Sequence, residues 1–230
     1  MQHRTVQDVM TQQVVTVRRD TPFKKVAELL AGNDVTAVPV VDSANRPIGI
    51  VSDSDLLSKE LVQPEPDDRT PVVWLHPRDR ARAEAETAEG LMSTVVVTAR
   101  SEWSIVEAAR TMDHHHVKRL PVIDETGVLI GVVSRGDLLR VFLRHDSAIR
   151  EEIVHDVLER TLFLAPDAVH VQVLDGVVTL SGAVGRGSTL PVVLRLCRTV
   201  DGVVAVHDRL TPAFDDRHAE AGPAAVHGVL

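Results

Sequence analysis

Apolar positions over the first sixty residues change period several times. A β-branched run from Val14 to Val17 predicts a strand, after which Val26, Ala27, Leu29 and Leu30 recur at helical spacing among charged residues. Two further apolar runs, Ala37 to Val41 and Ile48 to Val51, flank a group of turn residues and predict two more strands. Ser52 then offers a helix N-cap ahead of Leu56 and Leu57, whose side chains face inward. The unit reads β-α-β-β-α in about 50 residues, too few to enclose a core alone.

The pattern then repeats. Shifting the chain by 82 positions lays Val9–Leu57 over Leu91–Leu139 without a gap, and 17 of the 49 pairs are identical. Matches include Val14-Val15-Thr16 with Val96-Val97-Thr98, Pro39-Val40 with Pro121-Val122, and Asp55-Leu56-Leu57 with Asp137-Leu138-Leu139. The second copy predicts strands over Val95 to Thr98, Leu120 to Ile123 and Val128 to Val133, and a last helix after Ser134. Two such units are expected to pack together on their sheet faces. Between them lies a polar, proline-rich stretch, Gln63 to Pro71, then Val72-Val73-Trp74-Leu75 and a helix over 78–91. Trp74 is expected to pack on its own domain, with a contact site for another protein as the alternative.

A different pattern follows Arg144. Ile149, Ile153, Val154, Val157 and Leu158 form a helical stripe, Val169, Val171 and Val173 alternate with polar residues, and Asp175-Gly176 marks a hairpin turn. A strand Val177–Leu180, a helix from about Thr189 to Thr199 and a strand Val203–Leu210 complete an α-β-β-α-β unit. The fold class is therefore α+β. Its expected segments are 1–60 (first repeat), 61–85 (linker with insertion), 86–145 (second repeat), 146–212 (the small α-β-β-α-β domain) and 213–230 (flexible tail).

Composition narrows the function. The 230 residues are 44% hydrophobic and 25% charged, a globular balance. Cys197, the single cysteine, allows neither an internal disulfide nor a thiolate metal site, which fits a reducing cytoplasm. No apolar run reaches the roughly 18 residues of a spanning helix, and Met1 to Asp8 lacks a signal-peptide core, so the chain is expected to be neither exported nor membrane-spanning. A net charge of −8, 3% aromatic residues and no tyrosine argue against nucleic acid as a partner. An anionic ligand must then be small and held by local groups.

Those groups stand in the repeat. Gly49-Ile50-Val51-Ser52-Asp53-Ser54-Asp55 recurs as Gly131-Val132-Val133-Ser134-Arg135-Gly136-Asp137. It sets a glycine for close backbone approach, a hydroxyl at a helix N-terminus and a carboxylate one turn on. The carboxylate can accept both hydroxyls of a ribose, and the serine with helix-terminal N–H groups can meet a phosphate oxygen. The plainer alternative is a pair of helix caps, but recurrence at matched distances from Thr16 and Thr98 and from Pro39 and Pro121 favours a nucleotide. His114-His115-His116 reads as a helix C-terminus rather than a metal site, because consecutive side chains cannot face one ion. Gly182 to Thr189 lacks the lysine of a phosphate loop and reads as a turn capped by Ser188 or Thr189 before Pro191. Cys197 reads as a buried small side chain, and no residue set suggests catalysis, so the chain is read as a non-enzyme.

Both halves resemble CBS motifs, and residues 5–144 resemble the Bateman module, an adenosyl-nucleotide-sensing pair. The resemblance implies a ribose carboxylate at Asp55 and Asp137, a hydroxyl at Ser52 and Ser134, and an early threonine at Thr16 and Thr98. It also implies an adenine and phosphate strand ending in Val38-Pro39 and in Lys118-Arg119-Leu120-Pro121. The copies differ in charge there: Lys118, Arg119 and Arg135 in the second stand where the first has Thr36, Ala37 and Asp53. The second copy is thus expected to bind AMP, ADP or ATP, and the first to be empty or to take a less anionic adenosyl ligand such as S-adenosylmethionine. No cofactor is required, and a homodimer through the CBS pair is implied.

Residues 173–184, with Val200-Asp201-Gly202-Val203, resemble a BON domain, a family associated with phospholipid binding or attachment between proteins. Residues 146–212 carry six arginines, no lysine and nine acidic residues, which gives no support for attraction to an anionic membrane. The expectation is a cytoplasmic regulatory protein with an unknown target protein. Its rival is an envelope-associated adaptor whose CBS pair is only a dimerising scaffold and whose BON-like part binds phospholipid or protein.

Overall fold

The computed structural model describes residues 4–62 and 77–216. The expectations for Gln63 to Pro71, for Trp74 and for the tail beyond 216 lie outside the described residues. Two compact units divide the chain, Arg4–Leu138 and the part from Leu139 onward.

The first unit opens with a single turn, α1 (Val6–Val9), held by a capping box in which Asp8 Oδ2 accepts from the Thr5 N–H at 2.7 Å and from its hydroxyl at 3.0 Å. Helix α2 (Phe23–Gly32) buries Val26 and Leu30, as its apolar spacing predicts. Strand β1 (Ala37–Val41) pairs antiparallel with β2 (Pro47–Ser52), Pro39 opposite Ile50, and α3 (Asp53–Leu57) follows. Then come α4 (Pro77–Ala83), α5 (Ala88–Leu91), the two-residue β3 (Ala99–Arg100) and α6 (Ile105–His114). Strands β4 (Arg119–Ile123) and β5 (Leu129–Ser134) and helix α7 (Arg135–Leu139) repeat the first copy's ending.

Four expectations need correction here. Leu57, expected to face inward with Leu56, is 61% exposed, as is its counterpart Leu139, while Leu56 packs against the first copy's core. Val14 to Val17 and Val95 to Thr98 do not form strands: only Val17 reaches the sheet, bridging Val40, and β3 begins at Ala99. Val15 packs against the first copy's core and Val97 against the second's, whereas Val95 is exposed. The helix over 78–91 is broken into α4 and α5. Thr87 adopts an extended conformation, φ −133° and ψ 165°, and bridges Pro22, while the Phe23 N–H donates to Glu86 O at 2.8 Å.

The packing of the two copies also departs from a simple face-to-face pair. Each copy's leading segment crosses to the other, and the contacts obey the 82-residue shift. Thr5 bridges Ser104 as Thr87 bridges Pro22, and Thr11 bridges Val132 as Ser93 bridges Ile50. Ala88 and Leu91 therefore complete the first copy's core, and Val6 completes the second's. Gly49 and Gly131 sit beneath Met92 and Met10. A Cβ on Gly131 would lie 2.6 Å from Met10 Sδ, so these glycines make room for a thioether and not, as the sequence suggested, for a ligand.

The second unit begins with a 3₁₀ turn (Arg140–Leu143) and α8 (Asp146–Glu152), which continues as a π-helical stretch over Ile153–Thr161. Strand β6 (Val169–Leu174) pairs antiparallel with β7 (Val177–Arg186), α9 (Thr189–Arg198) follows, and β8 (Ala205–Phe214) adds parallel to β7. Asp175 and Gly176 both have positive φ, 50° and 74°, as the hairpin turn requires, and Asp146 accepts both their N–H groups at 2.8 and 2.9 Å. Ile149, Ile153, Val157 and Leu158 face Val171, Leu180, Val193 and Cys197 in one core.

Sequence reading fell short at this unit's edge. Gly182 to Arg186 belongs to β7 rather than to a turn, and Ser188 does not cap α9: its N–H and hydroxyl both donate to the Asp216 carboxylate at 2.8 Å. Strand β8 carries ordered pairing to Phe214, past the expected end at Leu210. Among the described residues, no helix is long and apolar enough to cross a membrane.

Candidate nucleotide site

Ser134 and Asp137 open α7 as a closed local motif. Asp137 Oδ2 accepts from the Ser134 N–H at 2.9 Å and from its hydroxyl at 2.6 Å, while Ser134 Oγ accepts from the Asp137 N–H at 3.3 Å. The cap reading of this motif is therefore geometrically real. It also does more than cap, because a carboxylate only 8% exposed stands on the wall of a cavity of about 320 Å³.

Arg119 is the basic residue on this cavity, whose lining also carries the Asp34 and Asp137 carboxylates. It lies directly across the ladder from Ser134, and its guanidinium donates to the Thr36 hydroxyl of the first copy. Burial lowers its pKa, while the nearby Asp53 and Asp137 carboxylates act in the opposite sense. The first copy contributes apolar side chains, Val14 and Val15 of the leading segment and Val35, Ala37 and Pro39, together with polar Thr11, Gln13, Asp34 and Thr36. One space thus brings together apolar side chains, a buried carboxylate and a guanidinium.

The first copy's counterpart is arranged differently. Asp55 Oδ2 accepts from the Ser52 N–H at 2.8 Å and from its hydroxyl at 2.6 Å, repeating the second copy. Its other oxygen, Oδ1, lies 3.0 Å from Arg82 Nη1, and Arg82 Nη2 donates to Ser93 Oγ at 2.8 Å. Asp55 lines neither the 320 Å³ cavity nor a larger groove of about 490 Å³ on the outer face of α2 and α3.

Of the residues the sequence nominated, Arg119, Ser134, Asp137 and Pro39 meet on the 320 Å³ cavity. Ser52 and Asp55 meet at Arg82. Val38 and Leu120 are fully buried in the two cores, and Pro121 is buried as well. Thr16 and Thr98 are half-buried and do not line that cavity; Lys118 and Arg135 are exposed and also lie off it. Sequence reading missed Gln13, Val14, Val15 and Asp34 as wall residues. Val14-Val15 was visible as an identical block in both copies, but nothing local said that it would face the other copy's aspartate.

Two remaining sequence features have plain structural roles. His114 ends α6, His115 caps it and His116 takes a positive φ of 54° on the way to β4. Among the described residues, no cluster of three or more histidine, cysteine or carboxylate side chains could hold a metal ion. Cys197 is fully buried, and burial pushes its thiol up to about 12.

Comparison with known proteins matches these units. The CBS domain profile fits residues 6–61 and 88–144, and the BON domain profile fits residues 145–212. The CBS domain-containing protein YhcV of Bacillus subtilis is 30% identical over 144 residues, which cover 63% of this chain and 89% of that protein. The chloroplastic CBSX2 of Arabidopsis thaliana is 30% identical over 152 residues, 61% of this chain and 64% of that protein. A crystal structure of CBSX2 in complex with AMP superposes with a TM-score of 0.52 at 28% identity, covering 61% of this chain and 97% of the other. With the duplicated fold, the paired Ser–Asp caps and these matches together, the chain belongs to the CBS domain family, as a tandem CBS pair followed by a BON domain.

Proposed function

We propose that this chain is a non-catalytic regulatory protein whose CBS pair binds an adenosine nucleotide of the AMP, ADP or ATP type in the 320 Å³ cavity. The observation that carries the reading is the convergence of Arg119, Ser134 and Asp137 on one partly apolar space. In it Asp137 accepts the ribose hydroxyls, Arg119 pairs with the phosphate, and adenine lies between Val14, Val15 and Pro39. The AMP complex of CBSX2 supports the choice of ligand. S-adenosylmethionine carries no phosphate and offsets its single carboxylate with sulfonium and ammonium cations, so it ranks below the nucleotides as a partner for Arg119. A nucleotide acts on such a pair by binding one arrangement of the two copies more tightly than another.

The pair is further proposed to form a homodimer through the outer face of α2 and α3, where Leu57 is 61% exposed beside the 490 Å³ groove. The BON domain is proposed to attach the regulator to another protein. Its acidic balance disfavours an anionic lipid surface, and exposed Leu174 and Val204 near the hairpin offer a contact.

Calorimetric titration with AMP, ADP, ATP and S-adenosylmethionine tests the ligand assignment. The parent chain is expected to bind at least one nucleotide, and Asp137→Asn, which can keep the α7 cap, is expected to weaken it at least tenfold. Absence of binding by the parent, or undiminished binding by Asp137→Asn, overturns the assignment.

A further inference from the structure

The 82-residue shift turns the geometry of one site into a template for the other. Thr11, Ser134 and Asp137 stand on the 320 Å³ cavity, so Ser93, Ser52 and Asp55 mark the place of its pseudo-symmetric counterpart. Arg82 bridges two of these three markers, with Nη1 3.0 Å from Asp55 Oδ1 and Nη2 2.8 Å from Ser93 Oγ. Its side chain is only 25% exposed and that of Asp55 10%. A guanidinium thus spans the space where a ribose would lie in the other half.

The source of this cation is distinctive. The strand position that supplies Arg119 in the second copy holds Ala37 in the first, so the repeat brings no cation at this position. Arg82 comes instead from α4, outside the 49 repeated residues. The segment after it is built into the fold: Ala83 and Ala85 are buried, Ala85 packs in the first copy's core, and Lys59 Nζ donates to Ala85 O at 3.1 Å. Displacing Arg82 would require a ligand to break a charge-assisted, largely buried pair and to satisfy Asp55 in its stead.

We infer that Arg82 is an internal occupant of the first-copy nucleotide site, holding Asp55 in place of ribose hydroxyls. Each chain then takes a single nucleotide, and the first-copy site opens only when the Arg82 side chain leaves Asp55. The inference rests on the nucleotide reading above for the nature of the ligand, but its geometry is separate.

Stoichiometry on the full chain decides it. AMP is titrated into the parent, into Arg82→Ala and into Arg82→Gln, which keeps an amide donor for Asp55 should the alanine variant fail to fold. Fold is checked by circular dichroism. One site in the parent and two in an Arg82 variant, with the added site abolished by a further Asp55→Asn, is the expected result. Two sites in the parent, or still one in both folded variants, overturns the inference and leaves the nucleotide reading intact. A parent that binds nothing while an Arg82 variant gains one Asp55-dependent site supports the occupant and overturns the 320 Å³ assignment. No binding by any variant overturns both.

Discussion

At the scale of single residues, this chain reuses one motif for two purposes. Ser–Asp closes a helix start in both copies with nearly identical hydrogen bonds, so the cap by itself does not distinguish a binding site from a structural one. Their surroundings differ: Asp137 lines the 320 Å³ cavity together with Arg119, whereas Asp55 pairs with Arg82 and does not line it. Arg119 should therefore report on phosphate. Arg119→Ala is expected to weaken AMP roughly 10- to 100-fold, the scale of one lost hydrogen bond to a charged group. Adenosine binding should change little, because the nucleoside lacks the charge that Arg119 meets. Equal losses for both ligands, measured by calorimetry, would assign Arg119 to the fold instead. Part of any loss could come through Thr36, whose hydroxyl accepts from the same guanidinium, and Thr36→Val separates that contribution.

Among the secondary-structure elements, α9 shows how a titratable group can be silenced by its position. Its apolar stripe turns Leu190, Val193 and Cys197 into the core of the second unit, where the uncharged thiol is favoured. With its pKa at about 12 against an ordinary 9.0, Cys197 is protonated in the folded state throughout the neutral range. Its contribution to stability is complete below pH 9 and is lost as pH rises from 9 toward 12, because only the unfolded chain then gains by ionising. The thiol is expected to resist an aromatic disulfide reagent at pH 8 in the native protein and to react fully in denaturant. Fast reaction in the native state would show that α9 opens readily from its sheet. The same unit illustrates why turn signals need their context. Asp175-Gly176 is a turn because its positive φ angles are required by a two-residue loop. Gly182 also has a positive φ, 121°, yet it lies inside β7, close against the Ala168 carbonyl.

For the molecule as a whole, the exchange of leading segments between the CBS copies has the largest consequence. The first copy's core is completed by Ala85, Ala88 and Leu91, all contributed from beyond its own last helix. Leu91 alone is fully buried, and losing a residue of that size from a core costs about 2–5 kcal/mol, a large fraction of a small domain's stability. Residues 1–62 expressed alone are therefore expected to lack a cooperative melting transition, whereas residues 1–145 should show one. A folded 1–62 fragment by heteronuclear NMR would contradict the interdependence of the copies. That interdependence is also what lets a ligand at one seam act on both halves, since the cavity is lined by residues of both copies.

The sequence by itself determined what is written over short distances. The α-β-β-α core of each repeat, the Ser–Asp caps, the Asp-Gly turn and the buried stripes of α2 and α9 all depend on residues close to each other along the chain. Spacing and side-chain chemistry fix these directly. The tertiary structure alone decided which distant segments meet: that Val14 and Val15 face the other copy's Asp137, that Gly131 accommodates Met10, and that Arg82 reaches Asp55. These pairs are separated by 27 to 123 residues, so no local period records them. They follow from burying two half-formed cores at once, which the chain achieves only by crossing each leading segment onto the other repeat.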